Sequence, residues 1–326
     1  PYRHDLMIQL MDLTGIHPCE QRAKASLELI MAVIDQRAVK TAEEIAEIER
    51  ACAIGYEMHT TAMKMARPGV TEQDICGRIS GIASSRGCMV SFSPIVTMHG
   101  EIMHGYPSPA PLEEGRLLLC DCGAETNENY CSDHTRTYPV SGKFTQKQKD
   151  IYEIVLRAHD EAPKNMRTGA MYMEEVHKKA LLSLAEGLHD VGLIKGAPQD
   201  AVEAGAMYLF MPHGLGHNMG MDVHDMEDLG ENYVGYGDER QRSPLLGMGN
   251  LRMARNLKPG HVISDEPGIY FIPALIEQWK REGTDKGFVN YEKLAGYYDF
   301  GGIRLEDDLL VTADGVRRLG SRRLPI

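Results

Sequence analysis

The sequence predicts an α+β protein made of two related halves that pack around a shared sheet. Capping boxes recur about a hundred residues apart, as Thr41-Ala-Glu-Glu and Thr145-Gln-Lys-Gln, and an apolar stripe at helical spacing follows each of them. The breaks after these helices are also similar, with MARPG at 65–69 and NMRTG at 165–169. Each helix pair leads into a strand-rich stretch, so we interpret the recurrence as an internal duplication.

The capping boxes and breaks set the expected helix boundaries. The helix that begins after Thr41 should end before Pro68, and a second helix should run from Thr71 to near Gly87. In the second half we expect a helix over about 146–166, followed after Gly169 by a helix with an apolar face.

A β-hairpin is predicted in the first strand-rich stretch. The segments Leu117–Gly123 and Cys131–Val140 alternate as strands do, and the polar turn Glu125–Asn129 joins them. A suitable register brings Asp121 and Asp133 together on the inner side of this hairpin.

Composition and charge exclude several classes of protein. Hydrophobic residues make up 43% of the 326 residues and charged residues 25%, which is typical of a globular protein. The net charge of −12 argues against nucleic-acid binding, which needs clustered Lys and Arg. We see no signal peptide and no apolar stretch long enough to span a membrane. Seven scattered cysteines indicate reduced thiols, hence a cytoplasmic location.

The chain divides into a short leading segment and one large domain. Residues 1–39 are too few to form a core of their own, and we expect them to be the end of an N-terminal domain or a linker. Residues 40–326 form the expected catalytic domain.

The thiols around Asp121 suggest a zinc knuckle as one alternative. Cys120 and Cys122 could pair with Cys131 and His134, but the C-x-C spacing is unusual for zinc and no second pair follows. Buried strand thiols are the better interpretation.

Carboxylates in apolar strand contexts carry the strongest chemical signal. Buried neighbouring carboxylates are unfavourable unless a cation neutralises them. Each acidic residue alone is better explained as a surface or salt-bridged group, so the interpretation depends on the whole set. Four carboxylates with one imidazole suit a pair of Mn²⁺, Co²⁺ or Zn²⁺ ions, and the candidate ligands are Asp121, Asp133, His217, Glu266 and Glu306.

At this level of detail the chain resembles the pita-bread metallopeptidases, in the branch of Xaa-Pro dipeptidase (prolidase) and Xaa-Pro aminopeptidase. The resemblance covers about Arg37 to Ala313. It is carried by Asp121-x-Gly, Ser132-Asp-His-Thr-Arg-Thr, His213-Gly-Leu-Gly-His with Asp222-Val-His, Glu266-Pro-Gly-Ile-Tyr and Gly302-Ile-Arg-Leu-Glu-Asp. It implies two pseudo-symmetric α+β halves around a curved antiparallel sheet, a homodimer and two divalent cations, Mn²⁺ being favoured.

The resemblance also implies roles for the candidate ligands. Asp121 binds one cation, while His217 and Glu266 bind the other. Asp133 and Glu306 bridge the pair, which activates a water for attack on the peptide carbonyl. Twelve positions separate Asp121 from Asp133 where eleven are expected, and an extra residue in the turn between them would absorb the difference.

Other residues are assigned to catalysis and substrate binding by the same resemblance. Glu266 shuttles the proton toward the leaving proline nitrogen, and His224 stabilises the oxyanion. His213 and His104 line the substrate cleft. Arg304 belongs to this set too, although we expect it to orient the carboxylates beside it more than to touch the substrate.

Substrate length depends on Arg252, which lies fourteen residues before Glu266. A prolidase-like arginine at this place grips the free carboxylate of an Xaa-Pro dipeptide and excludes longer peptides. The long segment after Tyr270 is also prolidase-like. The alternative is that Arg252 only forms a salt bridge. We favour a dipeptidase over an aminopeptidase that acts on longer peptides.

Three further alternatives share this fold. A creatinase-like hydrolase works without metals and lacks the full ligand set, whereas this chain keeps all five ligands. A non-catalytic peptide-binding module does not need the ligands, so the intact set argues against it as well. Methionine aminopeptidase is disfavoured by the segment around Arg252 and by the long span after Tyr270.

Overall fold

Both predicted halves are present in the structure, a computed structural model that describes residues 4–237, 240–244 and 247–326. The α-helices of the described residues are, in chain order, α1 (His4–Thr14), α2 (Pro18–Gln21), α3 (Leu27–Ala38), α4 (Ala42–Met65), α5 (Glu72–Ser85), α6 (Gln146–Asn165), α7 (Lys178–Asp190), α8 (Pro198–Glu203), α9 (Glu231–Gly235), α10 (Pro273–Glu282) and α11 (Tyr291–Leu294). The strands are β1 (Met89–Val90), β2 (Ile95–Thr97), β3 (Leu117–Cys122), β4 (Ala124–Glu125), β5 (His134–Pro139), β6 (Val262–Asp265), β7 (Gly268–Tyr270), β8 (Gly302–Arg304), β9 (Asp307–Val311) and β10 (Val316–Arg318).

The capping boxes start the helices where the sequence predicted. The hydroxyls of Thr41, Thr71 and Thr145 each accept the N–H of the third residue of α4, α5 and α6, and the backbone N–H of each threonine donates to the side chain of that third residue. Because these contacts are local, sequence pattern alone locates them. The predicted boundaries of all three helices are confirmed.

The helix after Gly169 begins differently from the prediction. Residues Tyr172–His177 form a π-helical turn before α7 starts at Lys178. Met171, at the edge of this turn, is bridged to Asn256, and its N–H is bound by the Glu175 carboxylate at 3.0 Å. The start of the helix is thus held both by the local Glu175 carboxylate and by the distant backbone of Asn256, without a capping hydroxyl.

Two antiparallel three-stranded sheets form the centre of the molecule. Their strand orders are β2-β3-β5 in the first half and β10-β9-β6 in the second. A bridge between Thr135 and Glu306 joins the halves. In the β3–β5 hairpin Asp121 pairs with Thr135, and Asp133 immediately precedes β5. The predicted hairpin is confirmed, and it carries both aspartates to one end of the sheet.

Helices cover one side of each sheet. In the first half Met58 of α4 and Ile75 of α5 are buried in a cluster with Leu118 of β3. In the second half Val155 of α6 and Leu184 of α7 are buried in a larger cluster with strands of the second sheet. The side of the sheets without these helices is left to form the site.

The leading segment is helical where the structure describes it; residues 1–3 lie outside that part. No residue of α1 is buried. Ile34 and Ala38 of α3 pack on Met226 and Val234, so the end of this segment contacts the main body. Among the described residues, no helix combines the length and apolar character needed to cross a bilayer.

Candidate metal centre

A cavity of about 660 Å³ opens where the two sheets meet. All ten side chains predicted to form the site line this cavity, although they come from segments as far apart as residues 104 and 306. They are His104, Asp121, Asp133, His213, His217, His224, Arg252, Glu266, Arg304 and Glu306. The fold therefore brings together every residue of the predicted set.

Three of the candidate ligands converge most closely. One ligand atom each from Asp133, His217 and Glu306 lies within 4.8 Å of the other two, and all three residues are buried. Nε2 of His217 is 3.5 Å from Oδ2 of Asp133. Distances of this size allow three side chains to contact one cation.

Glu266 and Asp121 flank this group. Oε1 of Glu266 lies 3.7 Å from Nε2 of His217. Asp121 is bound by the guanidinium of Arg304 through Oδ2. All five candidate ligands thus lie in one cavity, three of them in the central group.

The electrostatics of the cavity fit hard divalent cations. Burial, with the neighbouring Glu306 and Asp121 charges, raises the pKa of Asp133 well above its usual range. Burial likewise raises the pKa of Glu306 strongly and that of Glu266 to about 8. Oδ1 of Asp121 and Oδ1 of Asp133 are buried without a hydrogen-bond partner among the described residues. Cations would supply both the missing partners and the missing charge.

Backbone contacts between the halves fix Glu306. Its N–H donates to the carbonyl of Thr135 at 3.0 Å, while the Thr135 hydroxyl donates to Oε2 at 2.6 Å. The buried Arg136 donates from Nη1 to the carbonyls of Thr135 and Glu306, at 2.9 and 2.8 Å, and from Nη2 to Asp307 at 2.8 Å. Asp307 in turn contacts His159 at 3.2 Å. This network holds the strand ends that carry the candidate bridging ligands.

Arg304 orients groups on the cavity floor. Besides Asp121, it donates from Nε to the Thr135 hydroxyl at 3.0 Å and from Nη1 to the Tyr270 hydroxyl at 2.9 Å. Tyr270 lies 3.1 Å from Nε2 of His213, whose Nδ1 is 2.7 Å from the carbonyl of Gly214. Because a carbonyl only accepts, Nδ1 carries the proton and Nε2 receives the Tyr270 hydroxyl. Both ring nitrogens of His213 are therefore occupied by the protein.

His224 stands next to the candidate ligands. Its ring centroid is 4.3 Å from that of His217, in an edge-to-face arrangement. Nη1 of Arg252 contacts Nδ1 of His224 at 3.2 Å, and the same Nη1 contacts the Glu227 carboxylate. Burial lowers the pKa of His224, so the ring is neutral near pH 7.

The opposite wall carries His104. It follows Met103, which has a positive φ of 58°, and it is flanked in the cavity lining by Gly105 and Tyr106. Burial and the nearby Arg304 charge lower the pKa of His104. This neutral imidazole faces the cavity from the first half, while His213 and His224 face it from the second.

In the part of the chain that the structure describes, two other buried groups have ligand atoms close enough for a metal. In the first, Nε2 of His59 lies near the sulfurs of Cys120 and Cys122, yet it also lies 2.9 Å from the carbonyl of His134. A ring nitrogen that donates to a carbonyl is not free to bind a cation. We therefore interpret these thiols as packed strand residues, as expected from the sequence. The second group consists of Cys52, His134 and Asp308.

Sequence reasoning missed several residues that support the site. Tyr270 ends the motif Glu266-Pro-Gly-Ile-Tyr, and Asp308 lies two residues after the candidate ligand Glu306. Their position in or next to these motifs was the available signal. Glu227 had no such signal, because its partner Arg252 is 25 residues away in the chain.

Comparisons with known proteins agree with this geometry. The sequence model of metallopeptidase family M24 matches residues 46–313. Xaa-Pro dipeptidase of Mus musculus is 34% identical over 297 residues, which are 88% of this chain and 58% of that protein. A probable Xaa-Pro aminopeptidase of Fusarium vanettenii is 33% identical over 291 residues, which are 88% of this chain and 61% of that protein. The chain thus spans about three fifths of the length of these curated relatives.

A solved structure is similar over nearly the whole chain. The aminopeptidase PepP of Pseudomonas aeruginosa superposes with a TM-score of 0.74 at 29% identity, covering 98% of this chain and 65% of that one. Together with the antiparallel sheets and paired helices described above, this likeness confirms the predicted pita-bread fold.

Proposed function

Because the chain belongs to metallopeptidase family M24, we propose that it hydrolyses the peptide bond between a residue Xaa and proline. The observation that carries the proposal is the convergence of Asp133, His217 and Glu306 in a cavity lined by the whole predicted site. Relatives of both Xaa-Pro types support the same reaction class.

The proposed cofactor is a pair of divalent cations, Mn²⁺ being favoured over Co²⁺ and Zn²⁺. Carboxylate oxygens dominate the ligand set, which suits the harder ions. Asp121 would hold one cation and His217 with Glu266 the other, while Asp133 and Glu306 bridge them. When bound, the pair supplies a water activated for attack near neutral pH.

The protein's own groups are proposed to handle protons and charge around the scissile bond. Glu266 is half-buried and lies between His213 and His217, where a carboxyl group can hold a proton and pass it to the leaving nitrogen. His224, neutral and next to His217, is placed to donate to the developing oxyanion. Arg304 keeps Asp121 and Tyr270 in position.

We favour a dipeptidase, because Arg252 lines the cavity and can bind a terminal carboxylate. One observation favours the aminopeptidase alternative. Arg252 contacts Glu227 and lies 3.6 Å from Glu231, so part of its charge is already neutralised. Among the described residues the contacts of Arg252 use Nη1, so a carboxylate could bind the Nη2 and Nε edge, which keeps the dipeptidase as the first choice.

The assigned catalytic unit is residues 40–326, and the family match at 46–313 supports these boundaries. All seven cysteines lie in the described part and are free thiols, which supports a reducing compartment such as the cytoplasm.

A peptide panel tests the proposed function. Ala-Pro, Ala-Pro-Gly and the control Ala-Ala-Gly are assayed with added Mn²⁺, Co²⁺ or Zn²⁺, and Glu266→Ala is the inactive control. We expect cleavage of the proline peptides only, fastest with Mn²⁺ and with Ala-Pro. Cleavage of Ala-Ala-Gly at a similar rate, or no metal-dependent cleavage, would contradict the proposal.

A further inference from the structure

The contact between Arg252 and His224 fixes where the imidazole carries its proton. Nη1 of Arg252 is 3.2 Å from Nδ1 of His224. A guanidinium has donors and no acceptor. Nδ1 must therefore offer its lone pair, which leaves Nε2 as the N–H of the ring.

Glu227 holds Arg252 in this position. Its carboxylate contacts Nη1 of Arg252, and its side chain is less exposed than that of Arg252, at 18% against 35%. Oε2 of Glu227 also lies 3.6 Å from Nδ1 of His224. Without the guanidinium between them, the carboxylate would be the nearest partner of Nδ1 and would favour a proton there.

The position of His224 determines which hydrogen bond it can donate into the cavity. The ring lies against His217 and lines the cavity, so an N–H on Nε2 is the one donor that His224 can offer. A neutral histidine in the other tautomer would offer Nε2 as an acceptor, which repels a developing oxyanion.

We propose that Glu227 is a positioning residue, which holds Arg252 against Nδ1 of His224 and so keeps the imidazole N–H on Nε2 for the oxyanion. This inference rests on the proposed function. It gives Arg252 a role in the chemical step that is separate from binding a substrate carboxylate, since the two roles use different edges of the guanidinium.

Two kinds of measurement test it. The first is the ¹⁵N spectrum of histidine-labelled, Zn²⁺-loaded protein, with His224→Gln used for assignment. We expect His224 to carry its proton on Nε2 in the wild type and on Nδ1 in Arg252→Met. The second is kinetics: Glu227→Leu should lower kcat about 10-fold for Ala-Pro and Ala-Pro-Gly alike, with KM and metal content unchanged.

Controls separate the proposed role from general damage. Glu227→Gln keeps an acceptor for Arg252 and should retain the tautomer and kcat within about 3-fold. Glu57→Leu, which removes a surface pair with Arg86 at 2.6 Å, should leave both unchanged. If Glu227→Leu does not fold, Glu227→Gln and Arg252→Met still decide the question.

The inference is overturned by an Nδ1 proton in the wild type, by an unchanged tautomer in Arg252→Met, or by a Glu227→Leu effect confined to KM of the dipeptide. A wild-type protein that cleaves no Xaa-Pro peptide would instead refute the proposed function. In that case the spectrum still determines the tautomer.

Discussion

Oδ2 of Asp308 accepts the backbone N–H of Asp133 at 3.0 Å, across the boundary between the two halves. Asp308 lies two residues after Glu306 on β9, so one carboxylate connects the segments that carry both candidate bridging ligands. The thiol of Cys52 also donates to Oδ2, at 3.5 Å. Asp308 is fully buried, and burial raises its pKa to about 8.

Replacing Asp308 should therefore affect metal binding through Asp133. Asp308→Leu removes the acceptor and leaves a buried N–H unpaired, so we expect metal affinity to fall about 10- to 100-fold. We also expect a loss of about 1–3 kcal/mol in the free energy of unfolding. Asp308→Asn keeps an acceptor oxygen and should lose much less.

Metal titration and chemical denaturation of the three proteins check this prediction. Asp190 is exposed, so Asp190→Leu serves as the control for removal of a carboxylate. Equal metal affinity in Asp308→Leu and wild type would show that Asp308 does not support the site.

The Asp308–Asp133 contact also shows the limit of sequence reasoning. Capping boxes at Thr41 and Thr145 are contacts over three residues, and the sequence located them because residue types at fixed spacing determine them. The candidate ligands were found from their motifs. Asp308 and Asp133 are 175 residues apart, and their contact depends on how two sheets meet, which no local pattern encodes.

Arg252 could be predicted from the sequence, whereas its ion-pair partners could not. The prolidase-like stretch identified Arg252 as a candidate, and the structure places it in the cavity wall. Its partners Glu227 and Glu231 were not anticipated, because nothing in the spacing of these residues marks a shared surface. Ion pairs of this kind follow from loop packing.

Substrate length should change when Arg252 is replaced. Arg252→Ala removes the proposed carboxylate grip as well as the support of His224, so both Ala-Pro and Ala-Pro-Gly should be cleaved more slowly. The dipeptide should lose about 10-fold more in kcat/KM than the tripeptide, since only Ala-Pro places its carboxylate beside proline. Equal losses for the two peptides would leave Arg252 without a role in length selection.

Metal removal should make stability depend on pH above neutrality. In the metal-free protein burial raises the pKa of Glu266 to about 8, and it also raises the pKa of Asp133 and of Glu306 well above their usual ranges. A raised pKa in the folded state contributes stability at low pH that is lost as pH rises through the folded value. Desolvation lowers the pKa of His213 to about 3 and that of His217 to about 4, so both rings stay neutral throughout this window.

We therefore expect the Tm of the metal-free protein to fall between pH 7 and 8 by about 2–4 °C per pH unit for each carboxyl group that titrates. The increase in Tm on adding Mn²⁺ should grow over the same range, because the cations then replace the protons. Differential scanning fluorimetry with and without a chelator measures both, and Glu266→Gln should show a shallower slope. A metal-free Tm that rises over this range would refute the assignment of these carboxylates.

The backbone of Ser264 lies so close to Gly216, next to His217, that a larger residue at position 216 should distort the site. A Cβ at Gly216 would lie 1.9 Å from the carbonyl oxygen of Ser264 on β6, so Gly216→Ala must push two backbone segments apart. These segments are joined by the Ser264 N–H, which donates to the carbonyl of His217 at 3.0 Å. We expect a loss of about 1–3 kcal/mol in the free energy of unfolding, with weaker metal binding because His217 moves.

Gly77 provides the matched control for this substitution. It is exposed in α5, and a Cβ there would meet nothing within 4 Å. Gly77→Ala should therefore stabilise the protein by about 0.5–1 kcal/mol, because alanine is the better helix former. Urea denaturation and metal titration of the two variants separate local strain at His217 from a general effect of adding a methyl group; wild-type metal affinity in Gly216→Ala would contradict the proposed link.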